Sequence, residues 1–161
     1  MIKIIDNFFS EDIRNKLLIY CANASYKFNA VDRLGDLPTG SEFIINKKNP
    51  LYIFLDKNLK NKFKKLKNLS CYKAQINCFI PRERPSFHVD NKEGEGGFTC
   101  LYYPNDFWNK DEGGETQFLI NGEIRGILPI PNRMIIFDST LDHAATSYKT
   151  YHRFTIALKY I

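Results

Sequence analysis

From Tyr72 to Tyr160 the chain is cut into short strand-forming segments by closely spaced turn residues, and this rhythm limits its fold more than any other feature. The pattern predicts strands over Tyr72–Ile80, Phe87–Val89, Phe98–Tyr103, Thr116–Ile120, Glu123–Leu128, Met134–Asp138, Ala144–Tyr148 and Tyr151–Tyr160. Pro81, Pro85, Gly94 to Gly97, Gly113-Gly114, Asn121-Gly122 and Pro129 to Asn132 separate them. Asn-Gly between two apolar runs is the strongest short hairpin signal available. Eight short strands in about 90 residues favour a double-sheet jelly roll, with any helices packed against one sheet.

The N-terminal third reads differently. Met1 to Asp6 forms a short strand, and Ser10 is a plausible N-cap with Glu11 and Asp12 in the first turn, where the helix dipole favours them. Ile13, Leu17, Cys21 and Ala24 then make one stripe. A loop containing Asp32, Gly35, Asp36, Pro38 and Gly40 follows, then a short apolar segment, Leu51 to Leu55, and an amphipathic helix over Asp56 to Lys67. The fold class expected is therefore mostly β with supporting N-terminal helices, a double-stranded β-helix or jelly roll. At 161 residues it is one domain, 1–161, with 1–70 as helical support and 71–161 as the jelly-roll core.

The formal charge of +5 owes much to the six lysines of that second helix, which interleave with Leu59, Phe63 and Leu66. This spacing gives a solvated basic face. It leaves nucleic acid open as a partner without favouring it, since no aromatic or arginine interleaving provides for base stacking. Cys21, Cys71, Cys78 and Cys100 lack zinc-like or paired spacing, which argues against a disulfide framework and for a reducing compartment. No apolar run approaches the roughly 18 residues of a membrane span, and the short strand at Met1 to Asp6 is far too short for a signal peptide. No membrane association and a cytoplasmic location are expected.

His88 and Asp90 carry the chemistry. At i and i+2 on an extended segment they point to the same side. A further ligand from a distant strand, with His143 and His152 the remaining histidines, would complete a set of two imidazoles and one carboxylate. Such a set holds a metal on one side, leaves positions open, and suits non-haem Fe(II) oxygenases. In the last strand Arg153, Thr155 and Ala157 share one face, while Phe154, Ile156, Leu158 and Tyr160 share an apolar one that should meet the helices. The first face then lines the barrel, and an inward arginine calls for an anionic partner, such as a substrate carboxylate.

These residues resemble the catalytic half of the Fe(II)- and 2-oxoglutarate-dependent dioxygenases, nearest the prolyl 4-hydroxylase-like branch. The matching residues are His88-Val89-Asp90-Asn91, Thr99 to Asn105, Gly113 to Phe118, Asn132 to Asp138, His143, and Arg153 to Ala157. The resemblance implies that His88, Asp90 and His143 ligate Fe(II). It implies that Arg153 pairs with the distal carboxylate of 2-oxoglutarate and that Tyr103 hydrogen-bonds it. Asn77 and Thr155 are further candidates for holding the co-substrate, beside Gln75 and Phe79 on the same face. Arg82 and Arg84 stand as candidates for the pocket mouth, and His152 receives no role.

The implied reaction is hydroxylation of an aliphatic C–H with release of succinate and CO2. The partners would be 2-oxoglutarate, O2 and a protein, peptide or small-molecule substrate, with room for ascorbate. Asp90 favours hydroxylation over halogenation, since halogenating members lack this carboxylate. Ala157 and Lys159 depart from the close prolyl hydroxylases, where threonine and an aromatic are common, which leaves the prolyl substrate open. Two other readings stay open: a nucleic-acid demethylase of the same superfamily, which usually has arginine where Lys159 stands, and a non-catalytic jelly-roll binding module.

Overall fold

In a computed structural model the described residues are 1–161 except Asn29, Arg33, Leu34 and Glu93, so part of the loop expected around Asp32 to Gly40 lies outside them. The elements follow in the order β1 (Ile2–Ile5), α1 (Glu11–Ala22), β2 (Ser41–Ile44), α2 (Pro50–Lys62), β3 (Cys71–Phe79), β4 (Phe98–Tyr103), β5 (Thr116–Ile120), β6 (Glu123–Ile127), β7 (Arg133–Asp138), β8 (His143–Ala145) and β9 (Arg153–Tyr160). A six-stranded sheet has the order β1-β7-β4-β9-β3-β2, and a smaller one the order β6-β5-β8. All pairings are antiparallel, as expected of a jelly roll.

Strand parity divides the core in two. Ile156, Leu158 and Tyr160 of β9 join Ala74 and Ile76 of β3, Cys100 and Tyr102 of β4, and Leu17, Leu55 and Leu59 of the helices in one cluster. The opposite faces of the same strands send Ala157, Leu101 and Tyr103 into a second cluster with Ile135, Phe137 and Phe118, between the sheets. The apolar face of the last strand thus meets the helical layer, as its alternation requires.

The helices form where local chemistry allows. Ser10 caps α1 through the Ile13 amide, with Glu11 and Asp12 in the first turn. The second helix differs from its expected range of Asp56 to Lys67. It starts at Pro50, because Asn49 caps the Leu51 amide and proline is well suited to the first helical position. It ends at Lys62, where Phe63 turns extended and stacks its ring 6.2 Å from that of Phe8. Lys64 and Lys65 sit on a 3-10 turn, Lys64–Leu66, that buries Leu66, and Lys67 follows as its C-cap. No helix among the described residues is long and apolar enough to cross a membrane.

Two strand expectations need correction. The stretch Phe87–Val89 is no strand; His88 makes a single bridge to His143. The strand expected at Ala144–Tyr148 runs instead over His143–Ala145. The first seventy residues also supply two edge strands of the large sheet, of which β2 had no visible signal. Asn132 ties the N-terminal segment down from a left-handed φ of 62°. Its side chain accepts from the Phe9 amide and the Tyr102 hydroxyl, and donates to Phe9 O.

Candidate metal and co-substrate site

A cleft of about 300 Å³ opens between the two sheets, and His88, Asp90, His143 and Arg153 all line it. His88 and His143 are brought together by a two-way backbone bridge, each amide donating to the other's carbonyl at 2.9 Å. Asp90 follows two residues later, placed by its own amide on Ser139 O at 3.0 Å. The result is three ligand atoms within 4.8 Å of one another. His88 Nε2 is 3.8 Å from Asp90 Oδ1, and His143 Nε2 is 3.7 Å from Asp90 Oδ2.

The donor set suits a divalent metal. The Nδ1 atoms of His143 and His88 lie 2.9 Å from Leu141 O and 3.2 Å from Ser86 O. A carbonyl only accepts, so these contacts favour the proton on Nδ1 and leave each Nε2 lone pair turned toward Asp90. Phe118 and Phe137 pack the His143 ring at centroid distances of 5.9 and 4.7 Å. Burial pushes the His143 pKa down to about 4, against the attraction of Asp90, so its imidazole is neutral at pH 7. Burial alone would raise the Asp90 carboxyl. The Lys159 and His143 charges, with hydrogen bonds from Lys159 and Thr99, outweigh it and hold the group below the ordinary carboxylate range. Three such ligands on one side of an ion leave the other side open.

Arg153 stands farther along the cleft wall. It is 1% exposed, and its Nε and Nη2 donate to neutral acceptors, Gly114 O at 2.8 Å and Thr116 Oγ1 at 2.9 Å. A guanidinium held this way is costly to bury and is oriented to receive an anion. Tyr103 packs against two residues of the cleft lining, Thr116 and Arg153. It is fully buried, its ring centroid is 5.4 Å from the guanidinium, and its hydroxyl lies 2.7 Å from Thr116 Oγ1.

Asn77 and Thr155 both line the cleft, joined by Asn77 Nδ2 donating to Thr155 Oγ1 at 3.2 Å. Gln75 extends this polar strip through its Nε2, which donates to Asn77 Oδ1 at 2.6 Å. Arg82 and Arg84 are not at this cleft; they border a separate groove beside β8. His152 lies outside it as well, in a depression with Phe107 and Tyr151. The lysines of α2 belong to a helix whose Leu55 and Leu59 pack on the far side of the large sheet.

Three residues touch the triad in ways no sequence pattern assigned to them. Lys159 donates to Asp90 Oδ1, and Thr99 to Oδ2. Lys159 keeps the parity of Arg153, Thr155 and Ala157, so alternation alone signals its direction. Asp32 comes from a distant loop, accepts from the Ser86 amide at 2.8 Å, and approaches His88 Nδ1 at 3.6 Å. Nothing local in the sequence marks it.

The family profile described as the 2OG-Fe(II) oxygenase superfamily matches residues 74–160. The chain belongs to this superfamily. It is a 2-oxoglutarate-dependent dioxygenase with Fe(II) as its metal and 2-oxoglutarate and O2 as co-substrates. Solved structures agree on the fold of this dioxygenase. A prolyl-4-hydroxylase from Pseudomonas putida matches over 99% of this chain and 91% of its own, at 14% identity and a TM-score of 0.79. A Trichoplax adhaerens prolyl hydroxylase, solved with a hypoxia inducible factor peptide fragment, matches over 99% and 83%, at 22% and 0.74. HygX from Streptomyces hygroscopicus, solved with nickel, 2-oxoglutarate and hygromycin B, matches over 99% and 82%, at 12% and 0.77. No curated protein matches the dioxygenase in sequence.

Proposed function

We propose that His88, Asp90 and His143 hold the Fe(II), that Arg153 receives the distal carboxylate of 2-oxoglutarate, and that the enzyme hydroxylates an aliphatic C–H of a prolyl residue in a peptide. The observation that carries this reading is one cleft walled by both groups: two imidazole Nε2 atoms turned to one buried carboxylate, and a buried arginine bonded to neutral oxygens. All of 1–161 would act as one domain, with 71–161 as its catalytic core and 1–70 as support.

When bound, Fe(II) with 2-oxoglutarate and O2 supplies the oxidising power for the C–H bond. The protein's share is placement. Leu141 O and Ser86 O orient the two histidine rings, with the three ligand atoms within 4.8 Å of one another. Gly114 O and Thr116 Oγ1 fix the guanidinium, leaving its charge to orient a dicarboxylate along the cleft. Asn77 and Thr155 offer side-chain dipoles between these ends. Phe137 and Leu101 line the same wall and exclude water from it.

The prolyl substrate draws support from the Pseudomonas and Trichoplax likenesses, while HygX, of similar fold, was solved with hygromycin B bound. A nucleic-acid substrate gains nothing from the basic helix, which lies on the other side of the large sheet. The first test adds Fe(II) and 2-oxoglutarate without oxygen and seeks a visible metal-to-ligand charge-transfer band. The band should vanish in His88→Ala and need far more 2-oxoglutarate in Arg153→Ala. Proline-rich peptides with O2 should then gain one oxygen on proline by mass spectrometry; 2-oxoglutarate turnover with unmodified peptides would remove the prolyl assignment alone.

A further inference from the structure

Thr99 and Lys159 are cross-strand partners on β4 and β9, and both reach back to Asp90. The Lys159 ammonium donates to Oδ1, the oxygen 3.8 Å from His88 Nε2, and the Thr99 hydroxyl donates to Oδ2. The Asp90 side chain is 1% exposed and that of Lys159 14%, so this pair is shielded from water. A dication at the triad draws on the same carboxylate. Two positive groups around one buried anion repel each other, and at the low dielectric of such a cleft the repulsion is weakly screened.

We propose that Lys159 is a resident counter-cation that competes with the metal for Asp90 and holds the metal affinity of the site down. The proposal rests on the triad reading above. Lys159 keeps the buried Asp90 compensated when no metal is bound, so the fold does not depend on metal. A metal ion must then displace or crowd the ammonium. The site consequently exchanges its metal more readily than the same three ligands would without a lysine beside them. Lys159 is a tuning residue, acting on the metal through Asp90.

The test is a titration with Mn(II) alone, with free Mn(II) read by electron paramagnetic resonance, on the wild type, Lys159→Met, Lys159→Arg and His88→Ala. Lys159→Met keeps the aliphatic stem and removes the charge. It should bind Mn(II) at least about tenfold more tightly, while Lys159→Arg stays near wild type. In EDTA the Met variant should melt below wild type, and Mn(II) should raise its Tm by more. A damaged fold does not tighten metal binding, so the gain is specific. Unchanged or weaker binding by Lys159→Met overturns the proposal and makes Lys159 a mere support of Asp90. If His88→Ala binds Mn(II) as well as wild type, the triad reading fails instead, and the proposal with it.

Discussion

His88 and His143 face each other across a single antiparallel bridge, each amide 2.9 Å from the other's carbonyl, with ring centroids 4.5 Å apart. The backbone bridge brings the two residues together, and Nδ1 contacts to Leu141 O and Ser86 O orient their rings. Removing a ring leaves the bridge intact.

It follows that His88→Ala and His143→Ala fold and lose metal. Far-UV circular dichroism should be unchanged, while 2-oxoglutarate turnover falls by more than the ~10–100-fold that substitutions outside the ligand set cost. Turnover within tenfold of wild type in either variant would remove that histidine from the ligand set.

Arg153→Lys tests geometry apart from charge. Lysine is a point donor without the planar fork, and it forfeits the bonds to Gly114 O and Thr116 Oγ1. One charge-assisted hydrogen bond contributes about 1.5–3 kcal/mol, so the Kd for 2-oxoglutarate should rise roughly 10–100-fold with metal affinity unchanged. Anaerobic titration of the charge-transfer band measures both. Equal affinity for 2-oxoglutarate would place its distal carboxylate elsewhere.

Stability of the metal-free protein should fall on acidification before ordinary carboxylates protonate. His143 titrates at about 4 folded against an ordinary 6.5. In between, the unfolded chain binds more protons, so stability present above pH 6.5 drains away as the pH falls toward 4. The loss amounts to about 3 kcal/mol, and this histidine contributes no further loss below that. Urea midpoints at pH 7 and 4.5 read it, with His143→Asn lacking the slope. Parallel slopes in both proteins would mean that His143 is not the residue responsible.

Two glycines of similar φ separate conformational cost from crowding. Gly97 has φ +101°, and an added Cβ would sit 2.1 Å from Tyr160 O; Gly122 has φ +81° and open space around it. Gly122→Ala should cost about 1–2 kcal/mol. Gly97→Ala forces backbone apart next to Asn91 and should lose several times more, or fail to fold. Comparable melting temperatures would show that the end of β9 yields easily.

Much of the site could be read because it is written locally. His88 and Asp90 share a side at i, i+2, and Arg153 belongs to an alternating strand whose other face is wholly apolar. The direction survives even though His88 lies on a bridge rather than a strand, since a bridge also needs extended backbone. What stayed hidden depends on distant pairing. Ser41–Ile44 becomes β2 only because β3 offers it a partner. Asp32 reaches the site through the Ser86 amide, 54 positions away. The start of α2 is local after all: Asn49-Pro50 is an adequate start signal, lying ahead of the lysine-rich run.

Because β9 turns Arg153, Thr155, Ala157 and Lys159 to the cleft and Phe154, Ile156, Leu158 and Tyr160 away from it, cleft lining and core packing are encoded on alternating positions of a single strand. Selection can revise odd positions to change what the enzyme accepts while even ones keep it folded. The same interleaving makes the strand intolerant of length change. One residue gained or lost within it would exchange the two sets and end both properties together.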